Sequence, residues 1–114
     1  MHEFSIAAGV VDVALAHCEG RRVTVVNMRV GALRQVVPAT LMTAFDLVTR
    51  DTECEGARLQ LELIPVRLTC PDCAVEWTLD EPNFRCGECG ETALVMAGRE
   101  LEVESIEVEA SLIT

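Results

Sequence analysis

The chain has 114 residues, a formal net charge of −10, and nine basic residues, all of them arginine. A surface this acidic repels phosphate backbones, which argues against nucleic-acid binding. Half of the residues are hydrophobic, enough for a small core, but no apolar run is long enough to span a bilayer. The N-terminus lacks the pattern of an export signal, so we expect a cytoplasmic protein with reduced thiols.

Residues 5–19 predict an amphipathic helix. Small or polar residues recur there at intervals of three and four, which leaves a wide apolar face for burial. The apolar positions are Ile6, Ala7, Val10, Val11, Val13, Ala14 and Leu15. The helix is expected to end at Glu19-Gly20. Because it begins almost at the first residue, His2 and the α-amino group should lie near its start.

Residues 22–30 predict a half-buried strand, because Val26, Met28 and Val30 alternate with polar residues. A second amphipathic helix should run from Pro38 to about Arg50. Proline suits the first helical position, where its missing N–H is not needed. The apolar positions that follow at helical spacing are Leu41, Ala44, Phe45 and Val48.

Two further strands are predicted at 58–66 and 99–109. In the last one, Leu101 and Val103 are out of phase with Ile106 and Val108. Either a bulge near Ser105 resets the register or the strand buries both faces in turn. The simplest sheet pairs these two strands antiparallel, with the first strand at an edge. The predicted fold is α/β (α+β): a small three-stranded sheet with two helices on one face, plus an inserted module.

The inserted module carries two Cys-x-x-Cys pairs. Two such turns can bring four thiolates to the corners of a tetrahedron around Zn²⁺. The predicted ligands are Cys70, Cys73, Cys86 and Cys89. A thioredoxin-like dithiol would sit between a strand and a helix, and no helical pattern separates these pairs. Iron remains an alternative metal, which would make the protein an electron carrier. Cys18 and Cys54 stand alone, and we expect neither a zinc bond nor a disulfide from them.

No catalytic set is evident, so we expect a protein that is not an enzyme. His17 is interpreted as structural, because a cationic side chain is favoured at a helix C-terminus. Unlike His17, His2 is a candidate metal ligand, because Met1-His2-Glu3 offers an amine, backbone amides and an imidazole within three residues. A plane of such nitrogens suits Ni²⁺ or Cu²⁺.

The whole pattern resembles the HypA/HybF hydrogenase nickel-incorporation family. Landmarks similar to that family's occur in order along the chain: Met1-His2-Glu3 with Ser5, Arg29-Val30-Gly31-Ala32-Leu33, Glu55-Gly56-Ala57, the two cysteine pairs, Gly98-Arg99-Glu100-Leu101, and Ser105-Ile106-Glu107. The family often has glycine after the first cysteine pair and proline inside the second. Here those residues are Ala74 and Gly87, which puts the turn geometry in question rather than the metal ligands.

The resemblance implies a nickel metallochaperone that helps load [NiFe]-hydrogenase and, in some organisms, urease. Implied partners are a HypB-type GTPase, the hydrogenase large subunit and urease accessory proteins, with no nucleic acid and no membrane. The Met1 amine, His2 and the Glu3 backbone would hold Ni²⁺ as cargo, while the four cysteines hold structural Zn²⁺. Residues 1–66 and 98–114 would form the nickel-binding domain, and residues 67–97 the zinc-ribbon domain.

Two other functions compete with this one. A zinc ribbon can bind nucleic acid, but that requires a basic face, which this chain lacks. The ribbon could instead serve protein–protein interaction without nickel transfer. The glutamates of 100–109 are either the solvated side of a strand or an acidic docking surface for such a partner.

Overall fold

A computed structural model describes residues 2–79 and 83–110. Its elements in chain order are α1 (His2–His17), β1 (Val23–Gly31), a 3-10 turn (Ala32–Arg34), α2 (Pro38–Val48), β2 (Arg58–Ile64), β3 (Arg67–Thr69), β4 (Glu76–Thr78), β5 (Leu94–Ala97) and β6 (Leu101–Val108). Within those residues, no helix combines the length and apolar character that crossing a bilayer requires.

The chain forms two compact units. The described residues of the first unit are 2–29, 36–62 and 102–110, and those of the second are 30–35, 63–79 and 83–101. The first unit contains both helices and most of a sheet with strand order β2-β1-β6. The predicted fold class, a three-stranded sheet with two helices and an inserted cysteine module, is confirmed.

The core of the first unit is made by α1, α2 and one face of β1. Helix α1 buries Ala7, Val10, Val11 and Ala14, a spacing that keeps them in one stripe of the helix. Helix α2 buries Leu41, Ala44 and Phe45, and β1 adds Val26 and Met28 to this core. Val30, which belongs to the second unit, is also buried, so all three predicted positions of β1 are buried. The stripe on α1 is narrower than expected. Val13, predicted to be buried, is 43% exposed, whereas Glu3 is only 4% exposed.

The predicted pairing of the second strand with the last is wrong, because β1 lies between them. On one side, Glu109 N donates to Arg22 O at 2.9 Å and Thr24 Oγ1 to Glu107 O at 3.1 Å. Among these paired residues, the residue number rises along β1 while it falls along β6, so the two strands are antiparallel.

On the other side of β1, the contacts run in the same direction along both segments. Arg22 reaches the Glu55 carbonyl and Arg29 reaches the Glu62 carboxylate, so β1 and β2 are parallel. Helix α2 supplies the crossover that a parallel pair requires. The prediction failed because it considered only the strands flanking the insertion and overlooked this β-α-β unit.

Strand β6 keeps one register along its length. The bond from Glu109 N to Arg22 O and the bond from Gly31 N to Glu100 O belong to the same antiparallel register. No net shift therefore accumulates across Ser105. This favours the alternative in which the strand turns both faces toward apolar surroundings, with Val103, Ile106 and Val108 half-buried.

The second unit is built on β3, which pairs antiparallel with both β4 and β5. Its core holds Val66, Leu68 and Ala93, with Leu33, Trp77, Leu79 and Val95 packed against them. Gly31 and Gly98 approach closely here, since a Cβ on Gly31 would overlap the Gly98 carbonyl. Leu33 N donates to that carbonyl at 2.8 Å.

Candidate metal centre

The two cysteine pairs fold into turns with the same hydrogen bonds. In the first, Ala74 N donates to Cys70 O at 3.0 Å. In the second, Gly90 N donates to Cys86 O at 2.9 Å. Each leading cysteine also donates its own amide to a carbonyl five residues on, Val75 or Glu91, at 2.9 Å. The residue after each pair has a left-handed backbone, which lets the chain reverse around the sulfur atoms.

The four sulfur atoms fit a tetrahedral ion. The Sγ atoms of Cys70, Cys73, Cys86 and Cys89 all lie within 4.8 Å of one another. A Zn–S bond of about 2.3 Å gives a tetrahedral edge of about 3.8 Å, and Cys70 Sγ lies 3.5 Å from Cys89 Sγ. These four residues therefore form a cluster compatible with zinc, as the sequence spacing predicted.

Backbone amides donate hydrogen bonds to two of the sulfur atoms. Cys73 N lies 3.4 Å from Cys70 Sγ, and Glu88 N lies 3.4 Å from Cys86 Sγ. Amide hydrogen bonds from Cys89 and Glu88 lower the pKa of Cys86 to about 7. Hydrogen bonds with the neighbouring thiols of Cys89 and Cys70 raise the pKa of Cys73 to about 12. Protons thus remain on part of the cluster at neutral pH, and a metal ion must displace them to bind.

Burial differs within each pair. Cys70 and Cys86, the leading residues, are 1% and 4% exposed, whereas Cys73 is half-buried and Cys89 exposed. The leading cysteines therefore lie on the buried side of the cluster, and the trailing cysteines lie on its solvent side. Cys18 and Cys54 lie outside the cluster, buried as free thiols in the first unit.

The N-terminal candidate site is described from His2 onward, since Met1 lies outside the described residues. The His2 side chain is 57% exposed, and its Nε2 lies 3.2 Å from Glu3 Oε2. The same carboxylate oxygen accepts a hydrogen bond from Val37 N at 3.2 Å. The structure therefore brings His2 and Glu3 together beside the start of α2.

Sequence reasoning missed two features of this site: the burial of the Glu3 side chain and the involvement of Val37. The hydrogen bond from the Val37 amide holds the pKa of Glu3 below its ordinary value. The available signal was an acidic residue in the first turn of a helix, yet its partner is 34 residues away in the chain. His17 Nδ1 donates a hydrogen bond to Val13 O, 2.9 Å away within the same helix. This contact is in keeping with the structural role expected of it.

A two-helix α/β unit with an inserted four-cysteine module defines the class: a small metal-binding protein with a zinc-ribbon-like insertion. Residues 1–108 match the family model described as "Hydrogenase/urease nickel incorporation, metallochaperone, hypA". The chain belongs to this HypA family.

Relatives named hydrogenase maturation factor HypA match over nearly their full length. The protein from Desulfosudis oleivorans is 40% identical over 115 residues, covering 96% of this chain and 99% of the relative. The one from Geobacter sp. strain M21 is 43% identical over 112 residues, covering 96% of this chain and 100% of the relative.

Two solved structures share the fold. The solution structure of the Ni metallochaperone HypA from Helicobacter pylori has a TM-score of 0.68 at 19% identity, covering 96% of this chain and 98% of that one. A structure described as the solution structure of HypA protein has a TM-score of 0.72 at 20% identity, with 97% and 98% covered.

Proposed function

We propose that this protein binds Ni²⁺ at its N-terminus and delivers it during maturation of [NiFe]-hydrogenase and, in some organisms, urease. The observation that carries the proposal is the family match across residues 1–108. A largely exposed His2 at the start of α1 supports it. A cargo ion must be released again, and a few ligands at an open chain end suit that task better than a buried cage.

The nickel ligands in this proposal are the Met1 amine, the His2 imidazole and backbone nitrogens of His2 and Glu3. Nickel binding to an amide removes its proton and leaves a negative nitrogen. Helix α1 begins at His2, so this charge would develop at the positive end of a 16-residue helix. The amides in the first turn of a helix also have no intrahelical carbonyl partners. Metal binding to them therefore breaks no hydrogen bond of the helix.

Zinc in the four-cysteine cluster has a structural role in this proposal. Residues 67–97 would form the zinc-ribbon domain, and residues 1–66 and 98–114 the nickel-binding domain. The second unit has a small apolar core, and a structural metal supplies folding free energy that such a core lacks. An all-sulfur tetrahedral site suits zinc; iron would be recognised by its colour and one-electron couple.

The proposed partners are a HypB-type maturation GTPase and the hydrogenase large subunit, with urease accessory proteins where urease is the recipient. The proposed location is the cytoplasm, where thiols stay reduced. A net charge of −10 supports protein partners rather than nucleic acid.

A calorimetric Ni²⁺ titration tests the carrier function. Three zinc-loaded proteins are compared: the untagged chain, His2→Ala, and a chain extended at its N-terminus so that the amine becomes an amide. Tight binding is expected only in the first, and it should weaken as pH falls because binding displaces protons. Equal nickel affinity in all three would remove the carrier function and leave an interaction module with a metal ribbon.

A further inference from the structure

The side chain of Glu3 is a buried carboxylate, and one of its oxygen atoms contacts both His2 and Val37. Oε2 lies 3.2 Å from Nε2 of His2 and 3.2 Å from the Val37 amide nitrogen, while the Glu3 residue is only 4% exposed. Burial of a carboxylate is costly unless hydrogen bonds compensate. These contacts therefore indicate a position selected for its polar partners rather than for packing.

The contact with Val37 replaces a missing cap on α2. Val37 is the N-cap residue of that helix and provides no side-chain cap of its own, and Pro38 follows at the first position. A helix N-terminus favours an anion close to its unpaired amides. Glu3 supplies that anion from α1, so the start of one helix is tied to the start of the other.

The contact with His2 selects which imidazole nitrogen is available to a metal. A neutral imidazole carries its proton on one nitrogen only, and a carboxylate at Nε2 favours the proton there. Nδ1 then keeps its lone pair. Nδ1 is also the nitrogen that closes a six-membered chelate ring with the residue's own amide nitrogen, which Nε2 cannot reach.

We propose that the Glu3 side chain is a positioning residue for the nickel site: it fixes the His2 imidazole with Nδ1 presented to the metal and links that imidazole to the α2 N-terminus through Val37 N–H. This inference rests on the proposed function. Its role is separate from that of the Glu3 backbone, which is a proposed ligand. Partners behind a metal-bound histidine set its orientation and tautomer, and here the same partner also contacts a second helix.

Two variants of Glu3 separate positioning from packing. Glu3→Gln keeps the side-chain length and an oxygen that accepts a hydrogen bond from Nε2–H, whereas Glu3→Ala removes the acceptor. Without nickel, ¹⁵N NMR of the His2 ring should show Nε2–H predominating in the native protein and in Glu3→Gln. Glu3→Ala should show a mixture of tautomers. Nickel affinity should fall about tenfold or more in Glu3→Ala and recover most of that loss in Glu3→Gln.

Val37→Pro provides a matched control on the other side of the carboxylate. It removes the amide donor while the Val37 side chain, already 53% exposed, contributes little packing. The His2 tautomer should stay as in the native protein. In the native protein, nickel should change the hydrogen-exchange rates of amides in the first turn of α2, and in Val37→Pro this response should be reduced.

The outcomes distinguish this inference from the proposed function. If the native protein shows no N-terminal nickel binding, the carrier function fails, while the tautomer measurement still decides the position of His2. If native protein binds nickel and Glu3→Ala matches it in both tautomer and affinity, the positioning role of Glu3 is refuted and the carrier function stands. A folded Glu3→Ala protein is verified by its amide spectrum before either comparison.

Discussion

Ala74 and Gly90 occupy equivalent positions in the two cysteine turns, with φ angles of 58° and 77°. Each donates its amide to the carbonyl of the leading cysteine of its pair. The chain thus builds the same left-handed turn twice, once with a side chain and once without. This answers the question raised by alanine at position 74: the turn forms, but its backbone is one that glycine adopts at lower cost.

Ala74→Gly should stabilise the metal-bound second unit by about 0.5–1 kcal/mol, because relief of the left-handed strain exceeds the added freedom of the unfolded chain. Gly90→Ala should cost a similar amount, about 0.5–1 kcal/mol. A Cβ at Gly90 meets nothing within 4 Å, so only the backbone conformation is tested there. Chelator competition for zinc measures both, and opposite shifts are expected. Shifts of the same sign would contradict the equivalence of the two turns.

Cys70→Ala should lose the bound zinc and the order of residues 70–89 while both helices persist. Cys70 is a ligand in this assignment and is 1% exposed, so no outside group readily replaces its thiolate. Metal analysis and amide spectra measure the two effects. Cys18→Ala is the matched control, because Cys18 is also buried but lies outside the cluster. Full zinc content in Cys70→Ala would overturn the ligand assignment.

The thiol of Cys54 should be unreactive in the native protein. Burial raises the pKa of Cys54 above its ordinary value of 9.0, so the nucleophilic thiolate is scarce near neutral pH. The folded state therefore disfavours ionisation that the unfolded chain permits. Its contribution to stability is complete below pH 9 and is lost as pH rises through the folded pKa.

Two measurements check Cys54. Alkylation followed by mass spectrometry should leave it unmodified in the zinc-loaded protein until urea unfolds the first unit. Urea unfolding at pH 7.5 and 9.5 should show a larger loss of stability for the native sequence than for Cys54→Ala. Equal pH dependence in the two proteins would contradict the assignment of that loss to this thiol.

Phe45→Ala should destabilise the first unit by about 3–5 kcal/mol, because it opens a cavity beneath α2. Phe45 is 1% exposed and is among the largest fully buried side chains of the described residues. Zinc content of the native fraction should stay unchanged, since the cysteine cluster lies in the other unit. Denaturant unfolding and metal analysis give the two readouts. Zinc loss in protein that remains folded would argue against independent domains.

Local periodicity was sufficient to predict the elements of the first unit. Alternation in β1 and helical spacing around Phe45 correctly gave the buried residues, because each signal lies within one element. Cysteine spacing likewise predicted that the four cysteine side chains lie together, since two Cys-x-x-Cys turns around one tetrahedral ion leave little choice of geometry.

Relations between distant residues were not predictable in this way. The central position of β1 depends on α2 acting as a crossover, and no property of the strand sequences alone decides between neighbours. The sequence prediction for Glu3 concerned its backbone as a nickel ligand and did not address its side chain. Its burial depends on Val37, which reaches it only after α1 and α2 have packed.

The strand order also has a kinetic consequence. For β6 to reach β1, the chain must close a loop that contains α2, β2 and most of the second unit, whereas β2 reaches β1 through one helix. Loop closure costs more entropy for a longer loop, and distant pairings form slowly. A metal that gathers Cys70 and Cys89 shortens the effective span of that loop. We therefore expect zinc present during refolding to accelerate the docking of β6, although none of its ligands lies in the sheet formed by β2, β1 and β6.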